Sequence, residues 1–146
     1  MIEINYSLKD SGWAILELNN GHKVVKFDIS YLYDSLKKLA ESAIELKDKN
    51  EKSVIFMDEP GEHWLVLKKQ GKKIEYELRW YKEWANWNLI NEEKFEIKLT
   101  GSSTLTQYIN EVRRNLISIY YNFGIEQYKK KWVQHDFPLS EYKKLK

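Results

Sequence analysis

SVIFMDEPGEHWLVLKKQGKKIEYELRW, residues 53–80, holds three apolar runs separated by two turn signals, and its reading decides the fold. The runs Val54 to Met57 and Trp64 to Leu67 are β-branched or aliphatic. Further on, Ile74, Tyr76, Leu78 and Trp80 alternate with Glu75, Glu77 and Arg79, the period-two pattern of a strand with one buried face. Pro60-Gly61 fits the centre of a type II turn, Gly61 taking the positive φ that its second central position requires. Gln70-Gly71-Lys72 marks another reversal. Strands joined by tight reversals make an antiparallel meander.

Upstream, WAILEL (13–18) and HKVVKFDI (22–29) flank Asn19-Asn20-Gly21, a strong short-range hairpin signal. IEINYSL adds a short first strand. In SYLYDSLKKLAESAIELKDKN, Leu32, Leu36, Leu39, Ala43 and Leu46 recur at helical spacing, with Ser30 as N-cap and Asn50 as stop. Downstream, the alternation breaks at YKEWANWNLINEE and resumes with Phe95, Ile97 and Leu99 inward. A second helix runs from Leu105 through Phe123, capped by Ser102 or Ser103, with Gly124 as its left-handed C′ residue. A shorter helix follows through Ile125, Tyr128 and Trp132, and the tail wraps back through Phe137 and Leu139. The order β-β-α-β-β-β-β-α-α, with that first strand, predicts an α+β domain over 1–146. Its sheet has about six antiparallel strands, a helix inserted after the first hairpin and two C-terminal helices, all packed on one face.

At 146 residues the chain is the size of one domain and needs no metal or disulfide to hold a core. It contains no cysteine, which excludes thiolate nucleophiles, zinc–thiolate sites and iron–sulfur clusters. No signal peptide or membrane span is legible, so the expected compartment is the cytoplasm. The net charge of +2 comes from 24 basic and 22 acidic residues, and only Arg79, Arg113 and Arg114 are arginines. That scarcity of bidentate forks argues against nucleic acid as partner.

The candidate chemistry is sparse. Glu59, Glu62 and His63 crowd one turn, but a hairpin tip is normally solvated, and a catalytic carboxylate needs a cleft. His22, His63 and His135 show no metal-ligand spacing. No nucleophile elbow or phosphate-cradling loop occurs. Neither a catalytic residue, a metal site nor a cofactor is expected. Lys129, Lys130 and Lys131, interleaved with Tyr128 and Trp132, read as a solvated helix face. The aromatic interruption is richer: Tyr81, Trp84 and Trp87 are residue types enriched at protein–protein hot spots. They are the expected apolar anchors of a partner-binding surface, with Glu59 and Glu62 as rim charges.

Four segments in this order, SGWAILEL (11–18), SYLYDSLKKLAESA (30–43), MDEPGEHWLVL (57–67) and YKKKWVQHDFP (128–138), also resemble an uncharacterised family of small bacterial α+β proteins. They supply a helix opening Ser-x-Leu-x-Asp (Ser30, Leu32, Asp34), a Glu-Pro-Gly hairpin (Glu59, Pro60, Gly61) and a Trp-x-x-His-x-Phe-Pro ending (Trp132, His135, Phe137, Pro138). Tyr31 and Tyr33 are bulkier than the pattern leads one to expect. The resemblance implies a non-enzymatic protein-binding module of immunity-protein type, which occludes a toxin. The alternatives are a small hydrolase or transferase built on Glu59, Glu62, His63 or His135, and a single-strand nucleic-acid binder.

Overall fold

The computed structural model describes residues 1–146 and has the expected α+β architecture, with the strands divided between two sheets. Strands β1 (Glu3–Leu8), β2 (Trp13–Asn19) and β3 (Val24–Ser30) form one antiparallel sheet in that order. Strands β4 (Glu51–Met57), β5 (Glu62–Gln70), β6 (Lys73–Tyr81) and β7 (Glu96–Thr104) form the other. Helix α1 (Ser35–Glu45) joins the sheets, and α2 (Leu105–Trp132) and α3 (Leu139–Leu145) close the chain.

The two sheets cross. β3 touches both β4 and β7, the outermost strands of the second sheet, which a strand running along them could not do. Phe27 on β3 stacks on His63 of β5 at 3.7 Å between ring centroids and meets Phe56 of β4 edge-on at 6.0 Å. The inward residues Ile4, Tyr6, Leu16, Leu18 and Ile29 of the first sheet share one core with Val54, Leu65, Leu67 and Leu78 of the second.

The helices line the sheets' margins instead of covering one face of a single sheet. α1 lies along β4, α2 along β1, and α3 packs on both helices. The α2 side chains serve β1 as a surrogate neighbouring strand. Asn115 Oδ1 accepts from the Tyr6 amide at 2.8 Å and its Nδ2 donates to the Ile4 carbonyl at 2.8 Å. Glu111 accepts from the Ile4 amide at 2.8 Å, and Arg114 also donates to the Ile4 carbonyl. Free strand edges invite pairing with other chains, and polar side chains from a covering helix remove the invitation.

Several local expectations shift. Helix α1 begins at Ser35, not after Ser30, whose hydroxyl accepts from the Leu32 amide, so Leu32 leaves the apolar stripe and is exposed. Thr104 caps α2 by accepting from Gln107 N at 3.1 Å. Gly124, at φ 70°, interrupts α2 as the sequence leads one to expect, but the chain resumes helix at once. A bulge opposite Leu78 and Arg79 inserts Lys98 and turns Ile97 out to the solvent. Gly61 is not at positive φ; the Glu59–Pro60 peptide is cis and Asp58 N donates to Gly61 O at 2.9 Å. What makes Gly61 a glycine is proximity, since a Cβ there would meet Tyr81 O at 2.0 Å.

Candidate functional site

The hairpin tip and the segment 82–95 form one unit. β5 and β6 place Glu62 opposite Tyr81, on the sheet face turned away from the first sheet, and residues after Tyr81 fold back over that face. Trp84 Nε1 donates to Asp58 O at 2.9 Å and Gly61 O at 3.1 Å. Its backbone opens a short 3-10 turn, Ala85–Trp87, in which Ala85 is buried and Asn86 N donates to Glu62 Oε1 at 3.0 Å. Tyr81 is buried, with its hydroxyl donating to Glu92 O at 2.7 Å.

These placements correct two of the expected contact residues. Glu62 is 0% exposed and Tyr81 is buried, so neither can meet a partner from the surface. The reason is long-range: the charged and aromatic residues at the strand ends look solvent-facing until the later segment covers them. Glu59 remains exposed, Trp84 is half-buried, and Trp87 is 50% exposed.

Burial pushes the Glu62 carboxyl above its ordinary range, opposed by the Asn86 amide and the Trp64 indole. Glu62 Oε2 and Trp64 Nε1 nevertheless each lack a hydrogen bond of proper geometry. His63 points to the opposite face, between Phe27 and Trp80, and burial holds its imidazole down at about 3, with Lys98 adding to the effect. Neighbours in sequence, Glu62 and His63 are therefore separated by the sheet and form no acid–base pair.

A second polar cluster sits where α1 begins and α2 ends. His135 Nε2 donates to Tyr31 O at 2.8 Å, a carbonyl being able only to accept, and Nδ1 lies 3.7 Å from Asp34 Oδ2. Tyr6 OH shares a 3.0 Å hydrogen bond with Ser35 Oγ, and the Asp34 Oδ1, Tyr128 hydroxyl and Trp132 Nε1 atoms are buried without partners. Desolvation raises the Asp34 carboxyl, and the His135 charge and the Trp132 indole oppose the rise. Burial likewise pushes the Tyr6 and Tyr128 phenols upward. Both imidazole nitrogens face acceptors of this chain, so His135 acts as a clamp between Tyr31, Asp34 and the C-terminal segment. Asp136, its sequence neighbour, pairs instead with Lys129 at 2.9 Å.

Asp34 looks from the sequence like one polar residue on a helix face, and the heptad-like stripe carries no sign that it turns inward. The two motif segments that hold Asp34, Trp132 and His135 do meet in space. Tyr128, Trp132 and Tyr142 are buried, so the aromatics interleaved with the C-terminal lysines belong to the core and offer no stacking platform. No group of three or more His, Cys, Asp or Glu side chains is placed to hold a metal ion, and no helix is long and apolar enough to cross a membrane.

No family model, curated protein or solved structure matches this chain.

Proposed function

We propose that this chain is a non-enzymatic protein-binding module that acts by covering a partner protein, as a toxin-neutralising immunity protein does. The observation that carries the reading is the half-exposed Trp87, held on a segment whose base is fixed. Trp84 is bonded to the hairpin tip, Ala85 is buried and Asn86 is bonded to Glu62. Trp87 stands edge-on to Trp84 at 4.7 Å, and Leu89 beside it is 55% exposed. A pre-ordered aromatic loses little conformational freedom on docking, which is what an interface anchor requires.

The charges around this patch favour one kind of partner. Glu59, Glu83, Glu92 and Glu93 are exposed near it, against Lys82 and Lys94, while Glu96 is paired with Lys98. Although the whole chain is close to neutral, the local surface is acidic and complements a protein with a basic rim around an apolar cleft. The anchors are accordingly Trp87 and Leu89, with Glu59 as a rim charge.

The test is a paired variant, Trp87→Ala with Leu89→Ser, compared with the unaltered chain in binding to whatever protein co-purifies with it stoichiometrically from its host. Loss of that complex at unchanged melting temperature supports the reading. Undiminished binding by the folded variant removes it.

A further inference from the structure

Four strand edges border the two sheets; two are bonded by other parts of the chain and a third lies beside a helix. The β1 edge is capped by Glu111, Arg114 and Asn115. α1 runs along β4. On β7, the Thr100 carbonyl accepts from Asn20 Nδ2 at 2.7 Å and the Ser102 carbonyl from the Met1 amino group. The fourth edge, β3, is different. Between Val24 and Ser30 the backbone bonds only to β2, so every second residue presents its N–H and C=O outward. Val24 is 52% exposed, and Lys26 and Asp28 are exposed. The strand VVKFDIS contains no proline, and its stretch from Val24 to Asp28 is at least partly exposed, a template for strand addition.

We propose that β3 is a docking edge and that its occupant is a second copy of this chain, paired antiparallel about a two-fold axis through Phe27. The register follows from two constraints. In an antiparallel pair, opposed residues both point their backbone groups at the partner or both point away. Two identical strands therefore place the axis on a residue, not between residues. An axis on Lys26 would set Lys26 against its own copy, and an axis on Asp28 would oppose two aspartates. Directly opposed like charges destabilise a sheet, whereas opposite charges stabilise it. With the axis on Phe27, each Lys26 faces the other copy's Asp28, and each Val25 faces the other copy's Ile29 on the inner face. Neither Lys26 nor Asp28 is in an ion pair within the chain, so both charges are free to make these contacts. The product is a continuous six-stranded sheet with an isologous interface.

The full chain tests this directly by sedimentation or light scattering from about micromolar to about millimolar concentration. A reversible monomer–dimer equilibrium is expected. Lys26→Asp alone and Asp28→Lys alone should each weaken it about tenfold or more, and the combined swap should restore it. Because the chain has no cysteine, the register can be trapped. A mixture of Lys26→Cys and Asp28→Cys chains should form an intermolecular disulfide that neither variant forms by itself. A monomer throughout that concentration range overturns the proposal, as does a dimer indifferent to the charge reversals or a Lys26→Cys chain that cross-links with itself. Trp87→Ala should leave the equilibrium unchanged, which separates this edge from the partner-binding face.

Discussion

His135 Nδ1 lies 3.7 Å from Asp34 Oδ2, and through that contact the segment that follows α2 is fastened to the residue that precedes α1. The imidazole also donates to the Tyr31 carbonyl, so its removal leaves that acceptor without its donor. His135→Ala is expected to cost about 1–3 kcal/mol in urea unfolding. Combined with Asp34→Asn in a double-mutant cycle, the coupling should exceed about 0.5 kcal/mol. Strict additivity of the two substitutions would contradict the clamp.

His63 sets an acid limit. Its imidazole titrates at about 3 in the folded protein against 6.5 ordinarily, because burial disfavours the charged form. Between those values the unfolded chain binds a proton that the folded chain refuses, so stability rises with pH across the window. The contribution is complete above the unfolded value and is lost as pH falls toward 3, on the order of 5 kcal/mol in all. The raised Asp34 and Glu62 carboxyls act in the opposite sense, the folded state protonating first and gaining stability as pH falls. His63→Phe should therefore flatten the fall of the urea midpoint in acid. Parallel pH profiles for the two proteins would refute this.

Gly61 and Gly71 should respond differently to alanine. At Gly61 a Cβ collides with Tyr81 O at 2.0 Å and with the Trp80 ring at 2.7 Å. The backbone carbonyl cannot step aside, and a loss of about 3 kcal/mol or more is expected. Gly71 has open space around it but sits at φ 63°, so its substitution should cost about 1 kcal/mol. Thermal melts of both variants rank the two.

Asn115→Ala removes both side-chain bonds to β1, leaving the Tyr6 amide and one acceptor site of Ile4 without their partners. A loss of about 2–3 kcal/mol is expected, with faster hydrogen exchange at the Tyr6 amide. Unchanged protection of that amide would show that α2 does not cap the strand.

Trp84 and Trp87, three positions apart, should separate stability from recognition. Truncating Trp84 to alanine empties a packed, hydrogen-bonded position and should cost about 3 kcal/mol. Trp87→Ala should change stability by no more than about 0.5 kcal/mol. Comparable destabilisation by both would place Trp87 in the core.

The strands and their order were legible because their signals are local. Gly21 at φ 92° and Gly71 at φ 63° take the conformations that their turns demand, and Glu75, Glu77 and Arg79 alternate with buried residues of β6. What escaped is what depends on distant chain. A single inserted residue, Lys98, reverses the outlook of Ile97, and alternation carries no warning of it. Glu62 reads as solvated because the segment that buries it arrives some twenty residues later. One sheet was expected where there are two, since apolar alternation reports that a strand has an inner face and not which sheet lies against it. Of the candidate contact residues, Trp84 and Trp87 look equivalent in sequence, and only the carbonyls of Asp58 and Gly61 distinguish them.

The polar cap that α2 places over β1 limits how far self-assembly by β3 can proceed. In the three-stranded sheet each copy brings one open flank and one sealed flank, so strand addition leaves that sheet no acceptor for a third molecule. Growth terminates at a pair instead of propagating into a fibre, and the residues that impose this stoichiometry lie on the far side of the sheet from the junction itself.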